Sequence, residues 1–133
     1  MADAFDVQVV TEIYGAMATR DLEAIIARVS PEIVITQDPR LPWGGRHEGL
    51  EGFAAFAGAL TGAIDSVVTH DAVFATDTEV VQTGRTRGTV VATGAPFDIP
   101  EVHSWTLRDG VAVAAHFSID TEAMLAVLAE DGP

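Results

Sequence analysis

Apolar side chains recur at Phe5, Val9, Ile13 and Met17, and Val10, Tyr14 and Ala18 widen the same stripe. That spacing predicts an amphipathic helix over 5–18, with Tyr14 at or near its buried face. Asp21 suits the N-cap of a second helix running to Arg28, whose inward positions would be Leu22, Ile25, Ile26 and Val29. Ser30-Pro31 stops it, because the proline ring disfavours helical geometry in the residue before it. Ile33-Val34-Ile35-Thr36 opens with three β-branched residues and predicts a short strand over 33–36. A turn-rich stretch, TQDPRLPWGGRHEG, then runs to Gly49, and Phe53, Phe56, Ala57 and Leu60 give a third helix over 51–61.

From Ser66 the pattern changes to strands at 66–75, 79–92, 96–107 and 111–119, and Met124, Leu125 and Leu128 mark a last helix over 121–130. The order ααβα followed by four strands is an α+β arrangement, with helices gathered on one face of an antiparallel sheet. At 133 residues the chain is expected to form one domain over 1–133.

The final hairpin can be read residue by residue. A two-residue turn at Asp109-Gly110 would pair Leu107 with Ala112 and set His103 opposite His116. A three-residue loop, Arg108-Asp109-Gly110, would pair Leu107 with Val111. The apolar positions of the last strand are odd (Val111, Val113, Ala115, Phe117, Ile119), as are the bulky ones before it (His103, Trp105, Leu107). Only the three-residue loop puts both sets on one face. His103 is therefore expected inside, beside Trp105, Val113, Ala115 and Phe117, with His116 on the opposite face.

Composition then removes whole classes of function. A net charge of −13 with no basic run opposes binding to nucleic acid or an anionic membrane. There is no Cys for a thiol nucleophile, and all seven basic residues are Arg, so a lysine Schiff base is impossible. The first residues, MADAFDVQVV, show neither a basic segment nor a long apolar run, and a cytoplasmic location is the default expectation. His47 and His70 lack metal-ligand spacing and read as surface or loop residues, so no metal is expected. Gly44-Gly45 lacks the setting of a phosphate loop, and no cofactor is expected.

Tyr14, the Asp21-Leu22-Glu23-Ala24 opening of the second helix, LPWGGRHEGLEGF at 41–53, PEVHSWTLRDG at 100–110 and Ile119-Asp120-Thr121 come in a telling order. With them the chain resembles the nuclear transport factor 2-like superfamily, particularly its SnoaL-like and ketosteroid isomerase-like branches. The resemblance implies a cone-shaped curved sheet packed around N-terminal helices, an apolar pocket and a homodimer formed through the sheet. Fold alone does not settle function, since such folds host isomerases, cyclases, hydrolases and non-catalytic binders.

Three residues match positions that carry chemistry in those branches. Asp38-Pro39 stands where the isomerases place a proton-shuttling carboxylate, although an Asp before Pro is also a common turn starter. Tyr14 matches, within one residue, a tyrosine that donates to an oxyanion, or else it is an ordinary core residue. His103 stands where the isomerases place a neutral carboxylic acid and the cyclases a histidine. Phe117 occupies the position of the cyclases' catalytic Asp, and the chain has no Asn, which the epoxide-hydrolase-like branch requires. Trp43, Phe53, Trp105 and Phe117 could line the pocket or simply fill a core. The leading expectation is a cofactor-free enzyme moving a proton on a small apolar carbonyl compound, with Asp38 as base and Tyr14 and His103 holding the enolate oxygen. A non-catalytic binder of a small apolar molecule, or a dimerisation module, is the alternative.

Overall fold

A computed structural model describes residues 2–130; residues 1 and 131–133 lie outside the described residues. The first helix, α1, spans Ala4–Ala18 and starts on a reciprocal cap in which Asp3 and Asp6 each accept the other's backbone N–H. Val9, Val10, Ile13 and Tyr14 face the core, whereas Phe5 and Ala18, expected on the same stripe, are exposed. Asp21 caps α2 as the sequence predicts, accepting the Ala24 N–H at 3.1 Å. The helix itself is shorter than expected, Leu22–Ile26, and Leu22 and Ile26 are 53% and 40% exposed rather than inward. Five residues present a narrow face, and only Ile25 of this helix reaches the core before the chain turns into a strand.

That strand, β1, is Val29–Gln37, more than twice the expected length. Pro31 fits inside it because pairing with the neighbouring strand lapses between Val29 and Val34, so no ladder hydrogen bond is lost. The turn-rich segment holds a further strand that the sequence reading missed, β2 at Gly45–Glu48. Next come α3 (Gly49–Ala63), β3 (Ile64–Ala75), β4 (Val80–Val90), β5 (Pro96–Arg108), β6 (Val111–Ile119) and α4 (Thr121–Leu128). The six strands form a curved, unclosed sheet in the order β2-β1-β6-β5-β4-β3, with α1 packed on β3 and α3 on β1. The sheet is mostly antiparallel; β1 and β6 run parallel, which corrects the wholly antiparallel expectation.

The last hairpin reaches the expected face by a different device. Asp109 and Gly110 take φ of +54° and +80° and form a two-residue turn, with Arg108 opposite Val111 and Leu107 opposite Ala112. The expected three-residue loop and Leu107–Val111 pair are absent. Val113 instead bulges out of the ladder, so that Thr106 meets Ala114, Trp105 meets Ala115 and His103 meets Phe117. One extra residue swaps the parity of β6: Ala112 is buried before the bulge, Ala115 and Phe117 after it, and His116 is exposed. A second bulge lies in β3, where Asp71 has no partner between His70–Gly84 and Ala72–Thr83. No helix among the described residues is long and apolar enough to cross a membrane.

Candidate functional site

Strand alternation turns Phe97, Ile99, Glu101, His103 and Trp105 of β5 inward. Tyr14 reaches down from α1 onto this row, and Phe117 of β6 packs against His103 and Trp105 with ring centroids 4.6 and 5.4 Å away. The Trp105 Nε1–H donates to the Tyr14 hydroxyl at 2.9 Å, and that hydroxyl lies 2.7 Å from His103 Nδ1. An indole can only donate, so the tyrosine oxygen accepts there and its hydrogen goes to His103 Nδ1. The opposite arrangement would leave a buried hydroxyl hydrogen without an acceptor. His103 therefore carries its proton on Nε2, which faces Glu101 Oε2 at 3.3 Å.

Burial sets the charge states. The Tyr14 hydroxyl is pushed upward in pKa by desolvation, against the Trp105 hydrogen bond, so it stays a neutral donor. Desolvation pushes His103 down to about 3, and the nearby His70 and His116 push the same way. Glu101, only 4% exposed, is lifted by desolvation to about 7 although a hydrogen bond from Gln82 works against the rise. The His103–Glu101 contact thus joins a neutral imidazole to a carboxyl poised between its two forms near neutral pH, and it is not an ion pair.

Two more polar side chains complete the cluster. Gln82 is fully buried on β4, directly across from His103, and its Nε2–H donates to His70 Nδ1 at 3.1 Å. The amide occupies room left by Gly84, the residue opposite Glu101: a Cβ there would stand 2.6 Å from Gln82 Nε2 and 2.1 Å from the Thr69 carbonyl oxygen. His70 sets its ring edge-on to Tyr14 at 4.7 Å, and burial pushes its pKa down. It is the exposed member of the group. Both Gln82 Oε1 and Glu101 Oε2 are buried without a hydrogen-bond partner.

Sequence reasoning picked out Tyr14, His103, Trp105 and Phe117, and the fold brings these four together. Glu101, Gln82 and His70 it missed. Glu101 shares the odd parity of His103 and Trp105, a signal present in PEVHSW, whereas the bulge at Asp71 hides which way His70 points. His47 and His70, expected as surface or loop residues, both lie in strands; His70 is on the surface as expected, and His47 is half-buried. His47 Nε2 sits 3.1 Å from the carbonyl oxygens of both Trp43 and Gly44, and its ring packs on Phe56.

Asp38 stands apart from the cluster. Its carboxylate accepts from the Arg40 backbone N–H at 2.9 Å and from the Arg40 guanidinium, which also bonds Glu122. Arg40 holds Asp38 down to about 2. Asp38 faces a depression of about 340 Å³ shared with Pro39, His116, Phe117, Ile119 and Thr121. A second depression, about 410 Å³, lies over Val34, Thr36, Ser104, Thr106 and His116 on the other face of the sheet. Neither reaches Tyr14 or His103. Trp43 is buried with its Nε1–H on Gln37 Oε1 at 2.8 Å, and Phe53 is buried on α3; neither borders these depressions.

The sequence model of the SnoaL-like domain matches residues 10–116. Among solved structures, an NTF2-like protein of unknown function from Burkholderia pseudomallei superposes with a TM-score of 0.88 at 25% identity, over 96% of this chain and 100% of that one. A protein described as a SnoaL-like polyketide cyclase from Jannaschia sp. CCS1 gives 0.84 at 19% identity, over 95% and 92%. TerC, crystallised with polyporic acid, gives 0.87 at 21% identity, over 96% and 100%. A comparison with curated proteins gives no match.

Proposed function

Because the chain belongs to the SnoaL-like domain family, we propose that it is a cofactor-free, isomerase- or cyclase-like enzyme that moves a proton on a small apolar carbonyl compound. The observation that carries this reading is the buried Trp105–Tyr14–His103 chain of hydrogen bonds. Burying polar groups is costly, and a hydrogen-bonded set inside an apolar core with charge states shifted by burial supports a functional site there. Tyr14 stays protonated and can turn its hydroxyl hydrogen from His103 Nδ1 to a developing enolate oxygen. Trp105 holds the phenol in place from behind, and Phe117 supplies an apolar wall.

This reading does not use Asp38 as the base. A carboxylate held by Arg40 at about 2 is a weak base at neutral pH, and it lies outside the cluster. The test is exchange of the α-protons of 2-tetralone, a small apolar ketone, into D₂O, followed by NMR. Tyr14→Phe should slow exchange by about tenfold to a thousandfold, the range for losing one oxyanion donor. Asp38→Asn should change it by less than about threefold, whereas loss of a general base would cut it by ~10²–10⁴. Wild-type protein that does not accelerate exchange refutes the catalytic reading.

One observation favours a second reading, a non-catalytic binding or dimerisation module: neither surface depression opens onto Tyr14 or His103. Such a module would leave 2-tetralone exchange at the buffer rate.

A further inference from the structure

Two buried oxygens of the cluster stand without a hydrogen-bond partner among the described residues. The Trp105 N–H, the Tyr14 hydroxyl, His103 Nδ1 and Gln82 Nε2 are all engaged. What remains is Gln82 Oε1 and Glu101 Oε2, both buried and both oxygens. His103 Nε2 approaches Glu101 Oε2 at 3.3 Å without completing a hydrogen bond. An orphaned buried oxygen costs about 1–3 kcal/mol unless something supplies a hydrogen, so a native fold retains one only with a reason. Both atoms are oxygens, so the partner either would take is a hydrogen-bond donor, and only the His103 Nε2–H approaches Oε2.

We propose that Glu101 is the catalytic base of this site and that its free oxygen, Oε2, receives the acidic hydrogen of the substrate, a C–H beside a carbonyl or the O–H of an enol or phenol. This rests on the proton-transfer reading above and assigns the group that reading lacks. In the step, the substrate C–H bond breaks and its electron pair stays on the substrate as an enolate. The proton forms an O–H bond at Oε2. Return of that proton to a different substrate atom regenerates the carboxylate, and nothing is oxidised or reduced. Tyr14 and His103 lie on the same face to hold the enolate oxygen and the carboxyl. Exposed His70, with its ring against Tyr14 and its Nδ1 on Gln82, stands between the cluster and solvent.

Burial gives the carboxyl a strength suited to neutral pH, about 7. The groups around it are few. His103 shares its strand, Tyr14 faces it from α1, and His70 lies beyond Gln82 on β3. On β4 the opposite residue is Gly84, and on β6 it is Ile119, neither of which titrates. In α4, Glu122 is bonded to Arg40 at the surface.

The test follows 2-tetralone exchange from pH 5 to 9. In the wild type the rate should rise through about 7 and then level. Glu101→Gln keeps the volume and removes the base; it should cut exchange by about 10²–10⁴ and abolish the pH step, with thermal unfolding confirming an intact fold. An E101Q rate within about threefold of wild type, or a pH step that survives the substitution, overturns the assignment and leaves the proton-transfer reading standing. If the wild type does not exchange 2-tetralone at all, that reading falls. The Oε2 subsite is then judged by fluorescence titration with 2-naphthol and 2-methoxynaphthalene, which differ only in the donor. About tenfold preference for the naphthol, lost in E101Q, supports the subsite; equal binding of the two overturns it.

Discussion

Glu101 and His103 sit two residues apart on β5, and burial drives their charges in opposite senses. The carboxyl binds its proton more tightly in the fold than in the unfolded chain, 4.5 rising to about 7. Its contribution to stability is thus complete below 4.5 and is lost as pH rises through about 7. The imidazole binds its proton less tightly, 6.5 falling to about 3, so its contribution is complete above 6.5 and is lost as pH falls through about 3. Between 4.5 and 6.5 the two slopes oppose each other. Wild-type stability should therefore change little on acidification across this window. Glu101→Gln removes one slope, and its stability should fall by roughly 1 kcal/mol per pH unit relative to wild type, read by urea unfolding at pH 6.5 and 4.5. Parallel behaviour of the two proteins would show that Glu101 does not titrate in the fold. At this scale the sequence exposed Tyr14 and His103 because both are rare chemical types on apolar faces. It concealed Glu101, because in a chain with 20 acids a single inward one is recognised only by its strand parity.

Among the elements, the last hairpin shows what pattern can and cannot decide. Alternation placed His103 with Phe117, and it did so correctly, because burying one face of a sheet leaves little freedom of side. Asp109-Gly110 is also a strong two-residue turn signal, which the pattern argument set aside for a three-residue loop and which the structure keeps. The two conflict in an unbroken ladder and are reconciled by the bulge at Val113, a residue with no chemical mark of its own. Turn and site are thereby decoupled. Gly110→Ala places a side chain at φ +80° and 3.0 Å from the Phe5 ring, which should cost about 1–3 kcal/mol and lower the melting temperature by several degrees. The spectroscopic environment of Trp105 should stay unchanged. A shifted Trp105 signal would mean that turn geometry propagates through the bulge. β2 escaped notice for the opposite reason: four residues among two glycines, a proline and a tryptophan read as turn chemistry, and only their pairing with Val34–Gln37 of β1 makes them a strand.

Among the described residues, the sheet has an inner face packed against helices and an outer face that no helix covers. Val102 is exposed there, and Val34, Thr36, Ser104, Thr106 and Ala114 floor a depression of about 410 Å³. We propose that this face joins two copies of the chain. Light scattering at micromolar concentration should give twice the 14.0 kDa chain mass, and Ser104→Arg, which fills the depression with a charged side chain, should return the single mass. A wild-type monomer would discard the dimer. Helix order and antiparallel hairpins were legible from local pattern, whereas the parallel β1–β6 pairing joins segments about eighty residues apart (Thr36 with His116) and left no local trace.

An unclosed sheet has two borders, and β3, at Ile64–Ala75, is the long one, with Val67 and Phe74 exposed along it. A flat border of that length offers free N–H and C=O groups to any passing strand and is a template for fibrillar growth. The bulge described in β3 interrupts that template near its middle, and the residue it pushes out is Asp71, an anion. Local twist and like-charge repulsion together discourage a second β3 from docking in register. Asp71 thus has the position and the charge of the residues by which natural sheets blunt their edges against edge-to-edge pairing.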